Sequence, residues 1–524
     1  MDAVTLEIFK SLFASVAEEM GAVLGRTAFS PNIKERHDFS CALFDGGGRM
    51  VAQAAHLPVH LGSMPASVAA AIANVDLQPG DVAVLNDPYL GGTHLPDVTI
   101  VMPVHVDLGG RPTLVGYVAN RAHHADIGGA SPGSMPLATE LFQEGFIIPP
   151  LKLVEAGRTD ERVMALICRN VRTPVERRGD LAAQLSSASV GARRLVGIVE
   201  KYGPEEVRDH IQGLLDYSET LTRDALRRIP AGSYTFEDSL DGDGLSEAPV
   251  TIRVEVTIDD GTMVADFTGS APEQQGPINA VQAVTDSAVL YVVRCIAGEA
   301  VPANHGCMVP VRVVAPEGSV VNARPPRAVS AGNVETSQRM VDVLLGALAK
   351  ALPDVIPAAS QGTMNNLAFG GYEPVRRRNF AYYETIAGGM GARPAAPGLS
   401  AVQSHMTNTM NTPIEALEFE MPLRVREYSI RRGSGGKGRQ RGGDGVRRSI
   451  EFLVETDLTV ISDRRTTRPY GLSGGSAGQP GGNSVVRARS GEVEPIPSKA
   501  RVEIQPGDVL IIETPGGGGW GAPA

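Results

Sequence analysis

A mixed α/β (α+β), multidomain chain with a strand-rich C-terminal part is predicted by three observations. Apolar stripes at helical spacing occupy much of the first 230 residues, alternating strand patterns are threaded among them, and near residue 230 the texture changes to strands joined by Gly-rich turns. At 524 residues the chain is too long for one simple core. The expected division is an N-terminal α/β domain over 1–230, a β-rich domain over 231–330, a helix-containing segment packed on the core over 331–420, and a β-rich, Gly-rich domain over 421–524.

In order, Ile8, Leu12, Phe13, Val16, Met20, Val23 and Leu24 recur at helical spacing and predict an opening amphipathic helix. "FSCALFDGGGRMVAQ" (39–53) reads as two strands around a Gly turn. "SMPASVAAAIANV" (63–75) is an Ala-rich helix with Ser63 as its expected N-cap, followed by a buried strand, "DVAVLND". "DVTIVMPVHV" and "PTLVGYVANRA" have the pattern of adjacent sheet strands. From 158 to 228 the pattern is helical, with Arg169, Arg172, Arg177 and Arg178 on expected solvated faces. Beyond 230, "VTIRVEVTIDDGTMVADFTGS" alternates as a hairpin closed by Asp-Asp-Gly, helices are expected over about 279–298 and from Asn333 onward, and the last hundred residues return to strands.

Composition narrows the function classes. A net charge of −11 gives little reason to expect a nucleic-acid partner, which needs a face rich in Lys and Arg. The one basic run, "SIRRGSGGKGRQRGGDGVRRS" (429–449), is read as a surface loop, with a phosphate or RNA cradle as the sharper alternative. No window approaches about 18 uninterrupted apolar residues, so no membrane span is expected. Cys41, Cys168, Cys295 and Cys307 are widely separated, and reduced thiols in a cytoplasmic protein are the simplest reading. There is no P-loop, and "GGGG" at 516–519 is read as a flexible turn.

Histidine placement carries the chemistry. Four of the ten histidines fall within 94–124, interleaved with acids and flanked by Gly91, Gly92, Gly128 and Gly129. Histidine with carboxylate is the donor mixture preferred by borderline divalent ions. His94, Asp97 and His123 are the expected metal ligands. His124 and Asp126 are the expected proton-transfer groups, although neighbours on a strand point to opposite faces and at most one of His123 and His124 is expected at the metal. His56 and His60 are four apart, but Pro58 between them argues against a shared helix face. His37 beside Asp38 reads equally as a structural ion pair. His305 and Cys307 lack a third group to orient a base.

"NDPYLGGTHLPDVTI", "RAHHADIGG", "GNVETSQRMVDVLLGAL", "MTNTMNTPIEALE", "GGKGRQRGGDGVRRSIEF" and "TPGGGGWG" resemble the hydantoinase B / 5-oxoprolinase family, which includes the alpha subunits of acetone and acetophenone carboxylases. "FSPNIKERHDFSCALFD" also fits, so the resemblance covers nearly the whole chain. It implies the B-type component of a heteromeric, ATP-dependent enzyme whose hydantoinase A type partner binds ATP and activates the substrate. The expected activity is opening of a cyclic amide, a hydantoin or lactam. The alternatives are the alpha chain of a ketone carboxylase and a scaffold whose His/Asp loops serve only structure. The resemblance implies manganese, with zinc or iron suited to the same donors, at His94, Asp97 and His123. Glu144 in "LFQEGFIIPP" is a weaker catalytic candidate, and Asn333 and Glu335 in "GNVETSQR" are weaker substrate-binding candidates. Each of the three reads equally well as a cap or a core hydrogen bond.

Overall fold

The computed structural model describes residues 2–54 and 56–523. Helix α1 (Ala3–Thr27) opens the chain, capped by the Asp2 side chain, and is followed by a single turn, α2 (Pro31–Lys34). Strands β1 (Phe39–Asp45) and β2 (Met50–Gln53) close around the Gly turn as expected. Helix α3 (Ser63–Asn74) leads to β3 (Val82–Leu85), β4 (Asp97–Asp107), β5 (Pro112–His123), β6 (Leu151–Glu155) and β7 (Arg158–Thr159). These strands form one sheet, ordered β2-β1-β5-β4-β3-β6-β7, in which every neighbouring pair is antiparallel.

Strand alternation splits the sheet's side chains between two cores. Ala42, Phe44, Ala83, Leu85, Val101 and Ala119 pack under Met64 and Val68 of α3. Cys41, Leu43, Val84, Val98, Ile100 and Val118 join the large core on the opposite face. That face is covered by α1 and by α5 (Pro174–Tyr202), which follows α4 (Glu161–Arg169) and precedes α6 (Pro204–Arg227). Ser63 does not cap α3: Gly62 holds the cap position, and the Ser63 hydroxyl donates to the Val59 carbonyl at 3.0 Å. Of the four arginines expected on solvated faces, Arg177 is fully buried against Asp180 at 2.9 Å and Arg172 is held by Asp126.

The change of texture near 230 marks the start of a second sheet, and the large hydrophobic core runs across it from Phe9 to Ile461. That sheet holds β8 (Gly232–Leu240), β9 (Val250–Asp259), β10 (Thr262–Asp266) and, beyond α7 (Gln282–Ala297), β11 (Val311–Val314), with β11 parallel to β10. Helix α8 (Ser337–Leu348), every residue of it buried, packs on β8 and β9. It is followed by β12 (Asn366–Glu373), β13 (Arg378–Thr385), α9 (Ile414–Glu420), β14 (Leu423–Arg431), β15 (Gly445–Phe452), β16 (Thr456–Ile461), β17 (Gly482–Val486), β18 (Val493–Ile496), β19 (Lys499–Ile504) and β20 (Val509–Glu513). They form two sheets, β13-β12-β16-β19 and β14-β15-β20-β17-β18, which share a core of residues such as Phe369, Phe452, Leu458 and Ile512.

The 516–519 stretch, expected to be a flexible turn, proves to be interior, and several glycines of the basic run are buried with it while Arg432, Lys437, Arg439 and Arg441 stay at the surface as expected. The backbone N–H groups of Gly516, Gly517, Gly518, Gly519 and Trp520 donate in turn to the carbonyls of Gln479, Gly443, Ala359, Ser476 and Gln440. Residues 516 and 519 thus reach one neighbouring segment, and 517 and 520 reach another. A direction that recurs every third residue is the threefold rotation of a polyproline II type chain. A methyl group on Gly516, Gly517, Gly518 or Gly519 would overlap the backbone of Ser434, Met390, Tyr470 or Lys437 respectively. Gly436, Gly442 and Gly443 of the basic run lie in the same bundle, so glycine is there for close backbone approach and not for flexibility. Replacing Gly517 by Ala is expected to cost about 3–5 kcal/mol or to prevent folding, whereas Ala at Gly433, where an added methyl group meets nothing, is expected to cost roughly 1 kcal/mol for its left-handed backbone. Chemical denaturation of the two variants checks the difference.

Candidate metal centre

Strand pairing creates the centre. Asp97 begins β4 and His123 ends β5, and the register places them directly opposite one another, so their side chains share the α3 face of the sheet. The His94 loop is delivered by Gly91, held at φ +87° where an added methyl group would overlap the Ala66 carbonyl. His94 Nε2 then lies 3.3 Å from Asp97 Oδ2, and His123 Nδ1 lies 3.4 Å from Asp97 Oδ1. One ligand atom from each of the three residues falls within 4.8 Å of the others, and all three residues are buried. Thr93 adds a 2.6 Å hydrogen bond to Asp97 Oδ2.

Three further groups complete the surroundings: His60, which the sequence pattern weights below the cluster, and Tyr383 and Arg36, which it does not single out. His60 Nε2 is 3.4 Å from Asp97 Oδ2, while its Nδ1 pairs with Ser40 Oγ at 2.9 Å. Pro58 does exclude a helix through His56 and His60, but it opens a 3-10 turn, Pro58–His60, that turns His60 inward. Tyr383 stacks on His123 with ring centroids 4.5 Å apart. The Arg36 guanidinium lies over the Tyr383 ring, 5.1 Å from its centroid, and donates to the Tyr383 carbonyl at 2.8 Å. Asp38 pairs with Arg36 at 3.6 Å and not with His37. Arg36 and Tyr383 stand 347 residues apart, and no local pattern announces such a contact.

The expected proton-transfer pair is turned elsewhere. Strand alternation sends His124 to the opposite face, where its Nε2 meets Gln184 of α5 at 2.9 Å. Asp126 binds the Arg172 guanidinium at 2.8 Å and the Arg172 backbone N–H at 2.6 Å, a structural pairing. Glu144 is fully buried too, but only half satisfied: its Oε1 accepts from the Val329 and Ser330 amides, and its Oε2 has no partner. Asn333 and Glu335 do not cap a helix; they lie inside a π-helical turn, Gly332–Thr336, of the kind that recurs at functional sites. Glu335 Oε1 accepts from Asn366 Nδ2 at 2.7 Å, Asn366 Oδ1 accepts from the Tyr383 hydroxyl at 2.7 Å, and Tyr383 stacks on His123. Glu335 Oε2 and Asn333 Oδ1 are buried and unpartnered.

The electrostatics suit a metal. Burial alone would push the Asp97 carboxyl up, but His94, His60 and hydrogen bonds from His123 and His60 hold it well below the usual carboxylate range. Burial pushes the His123 imidazole down to about 3 and lowers His60 as well, leaving neutral rings able to coordinate. Both ring nitrogens of His94 and Nε2 of His123 are buried without a hydrogen-bond partner, an arrangement that costs stability unless a ligand satisfies them. The donor set of two histidines and one carboxylate fits a borderline divalent ion such as manganese, zinc or iron. Burial raises Glu144 to about 7, and burial with help from the Asp463 charge raises Glu335 to about 8, so both stand ready as neutral acids.

Sheet, cluster and flanking acids define a mixed α/β chain built around a candidate divalent-metal centre. Residues 2–523 match the Hydantoinase B/oxoprolinase family, and the chain belongs to it. It is 41% identical to an uncharacterised protein of Methanocaldococcus jannaschii, over all of this chain and 91% of that one. It is 39% identical to a 5-oxoprolinase of Dictyostelium discoideum over 99% of this chain but 40% of the relative, and so spans about two fifths of that protein's length. The B component of a putative D-/L-hydantoinase from a Pseudomonas species is 32% identical over all of this chain and 90% of the relative. Among solved structures, the ATP-dependent caprolactamase of Pseudomonas jessenii superposes with a TM-score of 0.92 at 29% identity, covering 100% of this chain and 91% of the other. An acetone carboxylase chain shares the fold, with a TM-score of 0.89 at 18% identity over 99% of this chain and 76% of that one. Among the described residues, no helix is long and apolar enough to cross a membrane.

Mass spectrometry for metals on gently purified protein is expected to find a near-stoichiometric divalent ion in the wild type and its loss in folded Asp97→Ala and His123→Ala; a metal-free, folded wild type would remove these residues as ligands. The folded state holds a proton on Glu144 that the unfolded chain, at its ordinary 4.5, gives up, so this group's contribution to stability falls as pH rises from about 4.5 to about 7. Glu144→Gln is expected to remove roughly 3 kcal/mol of that pH dependence, visible as a flatter plot of Tm against pH.

Proposed function

We propose that this chain is the ring-opening component of an ATP-dependent cyclic-amide hydrolase of the hydantoinase or 5-oxoprolinase type, working with a hydantoinase A type ATP-binding partner in a hetero-oligomer. The observation that carries the reading is the buried His94–Asp97–His123 cluster beside acids that hold their protons near neutral pH. The names of the relatives support the substrate class and a division into subunits. A missing P-loop and a span of about two fifths of the 5-oxoprolinase support ATP chemistry outside this chain.

His94, Asp97 and His123 would hold the metal, manganese by the resemblance, which when bound would polarise a carbonyl or activate water. The chain's own residues do the rest. Asp97 is kept ionised and His123 neutral, so the ligand set is formed before anything binds. Opening a cyclic amide leaves a poor nitrogen leaving group that needs a proton. Glu144 carries one, with Oε1 fixed by two backbone amides and Oε2 free to donate. Glu335, linked through Asn366 and Tyr383 to the ring of His123, helps to fix the position of that ring. Asn333 Oδ1 is available to accept a substrate N–H. His60 and Thr93 orient the Asp97 carboxylate, as surrounding hydrogen bonds do for metal ligands generally. A cytoplasmic setting accords with four free cysteines.

The test is reconstitution with the A-type partner. ATP-dependent ring opening of 5-oxoproline or a 5-substituted hydantoin is expected, with Asp97→Ala losing at least about 10³-fold and Glu144→Gln about 10²–10⁴-fold in kcat. Activity with Glu144→Gln is expected to lose the descending limb of the pH profile above about 7. Incorporation of labelled bicarbonate into a ketone-derived acid, with no cyclic amide opened, would replace this reading by the carboxylase one.

A further inference from the structure

A cavity of about 630 Å³ lies apart from the sheet that carries the metal ligands, between the end of α6, the α7 helix, the segment after α8 and the 403–408 loop. Its walls are apolar: Ile229, Ile296, Leu345, Leu352 and Val355. Polar groups join them. At the rim stands Arg228, an exposed guanidinium that makes no ion pair among the described residues. The inner side carries Gln403, Ser404 and His405, whose Oε1, Oγ and Nε2 atoms are buried without hydrogen-bond partners. His405 is held at φ +57°, a backbone conformation rarely taken by a non-glycine residue and found mostly where surroundings impose it. It is 8% exposed, and the nearest carboxylate, Asp342 at 3.4 Å, leaves its Nε2 unsatisfied.

An unpaired exposed cation, apolar walls and buried unsatisfied hydrogen-bonding atoms specify a ligand by its chemistry. The volume falls in the range of small-molecule sites, and apolar walls with a few convergent polar groups are their usual lining. We propose that this cavity binds an apolar-backboned carboxylate whose far end carries a nitrogen hydrogen-bond donor. The carboxylate meets Arg228, the apolar body fills the barrel, and the N–H group donates to Gln403 Oε1 and Ser404 Oγ, with His405 closing the floor. A lactam with a hydrocarbon ring has this constitution once opened, a carboxylate at one end of an apolar chain and the released nitrogen at the other. The segment that carries His60 borders the cavity: Pro58 lines it two residues before His60, and the Val59 amide donates at 3.2 Å to the carbonyl of Met406, between two lining residues. The cavity is thereby a waiting site for product. The identity of the ligand as product rests on the function proposed above; the site itself rests on the geometry alone.

Isothermal titration with 6-aminohexanoate, without ATP or the A-type partner, tests the site separately from turnover. One saturable site is expected, with the corresponding carboxamide, which lacks the anion, at least about 10-fold weaker. Arg228→Gln, an exposed change that spares the core, is expected to abolish that preference. Ile296→Trp, which fills the barrel, is expected to abolish binding while circular dichroism and metal content stay as in the wild type. If Ile296→Trp fails to fold, Arg228→Gln alone decides. Absence of saturable binding, or binding equally tight in Arg228→Gln and in folded Ile296→Trp, overturns the proposal. Binding as described in a chain whose reconstituted complex opens no cyclic amide would leave the site standing and sink the proposed function. Ring opening with unchanged product inhibition in Ile296→Trp would do the reverse.

Discussion

The structure around the centre depends on one cross-strand pair, Asp97 against His123. A buried carboxylate is costly unless it is compensated, and here the compensation comes from His94, His60, His123 and Thr93 together. Satisfying it fixes the register of β4 and β5, and a slip of one residue would place Asp97 against the apolar core under α5. It also explains the crowding of polar side chains on the α3 face, where Arg121 reaches Thr99, Ser63 and Ser67. The sheet is thus built as much to hold one charge as to bury apolar surface.

Local patterns make much of this legible. The alternation in "DVTIVMPVHV" and "PTLVGYVANRA" announces adjacent strands, and the donors His94, Asp97 and His123 are close enough in sequence, at the ends of those strands, for their meeting to be foreseen. The two-residue period also warns that His124 faces away from His123, and it does. Illegible are contacts between distant segments. Arg36 over Tyr383, and Glu335 through Asn366 to Tyr383, join pieces whose proximity is decided only when separate sheets close on one another. His60 is hidden for another reason: Pro58 has the look of a helix breaker, whereas it opens a short turn. The Gly-rich stretches mislead because glycine serves both freedom and close approach, and sequence alone does not say which.

A second set of buried charges ties the C-terminal sheets to the rest. Arg339 of α8 bridges Asp238 and Asp463, Arg464 bridges Asp238 and Asp342, and Lys499 completes Asp463. Three carboxylates meet three cations, so the network is neutral overall, yet removing any one member would strand a buried charge. Such a network adds little net stability and much specificity about how the sheets meet. It also reaches the site, because the Asp463 charge helps keep Glu335 protonated. The geometry that assembles the fold and the proton inventory near the centre are in this sense one arrangement.

The glycine bundle has a thermodynamic consequence. Its interior is backbone packed on backbone, held by N–H to carbonyl bonds, with few apolar side chains to withdraw from water. The heat capacity of unfolding comes mainly from exposing apolar surface, while exposing polar surface works in the opposite direction. Melting this part of the molecule therefore absorbs enthalpy and returns chain entropy, the latter large because glycine has the most freedom to regain, and it reduces the curvature of stability with temperature that the apolar cores create. The bundle resists cold as the apolar cores do not, and gives way on heating through entropy alone.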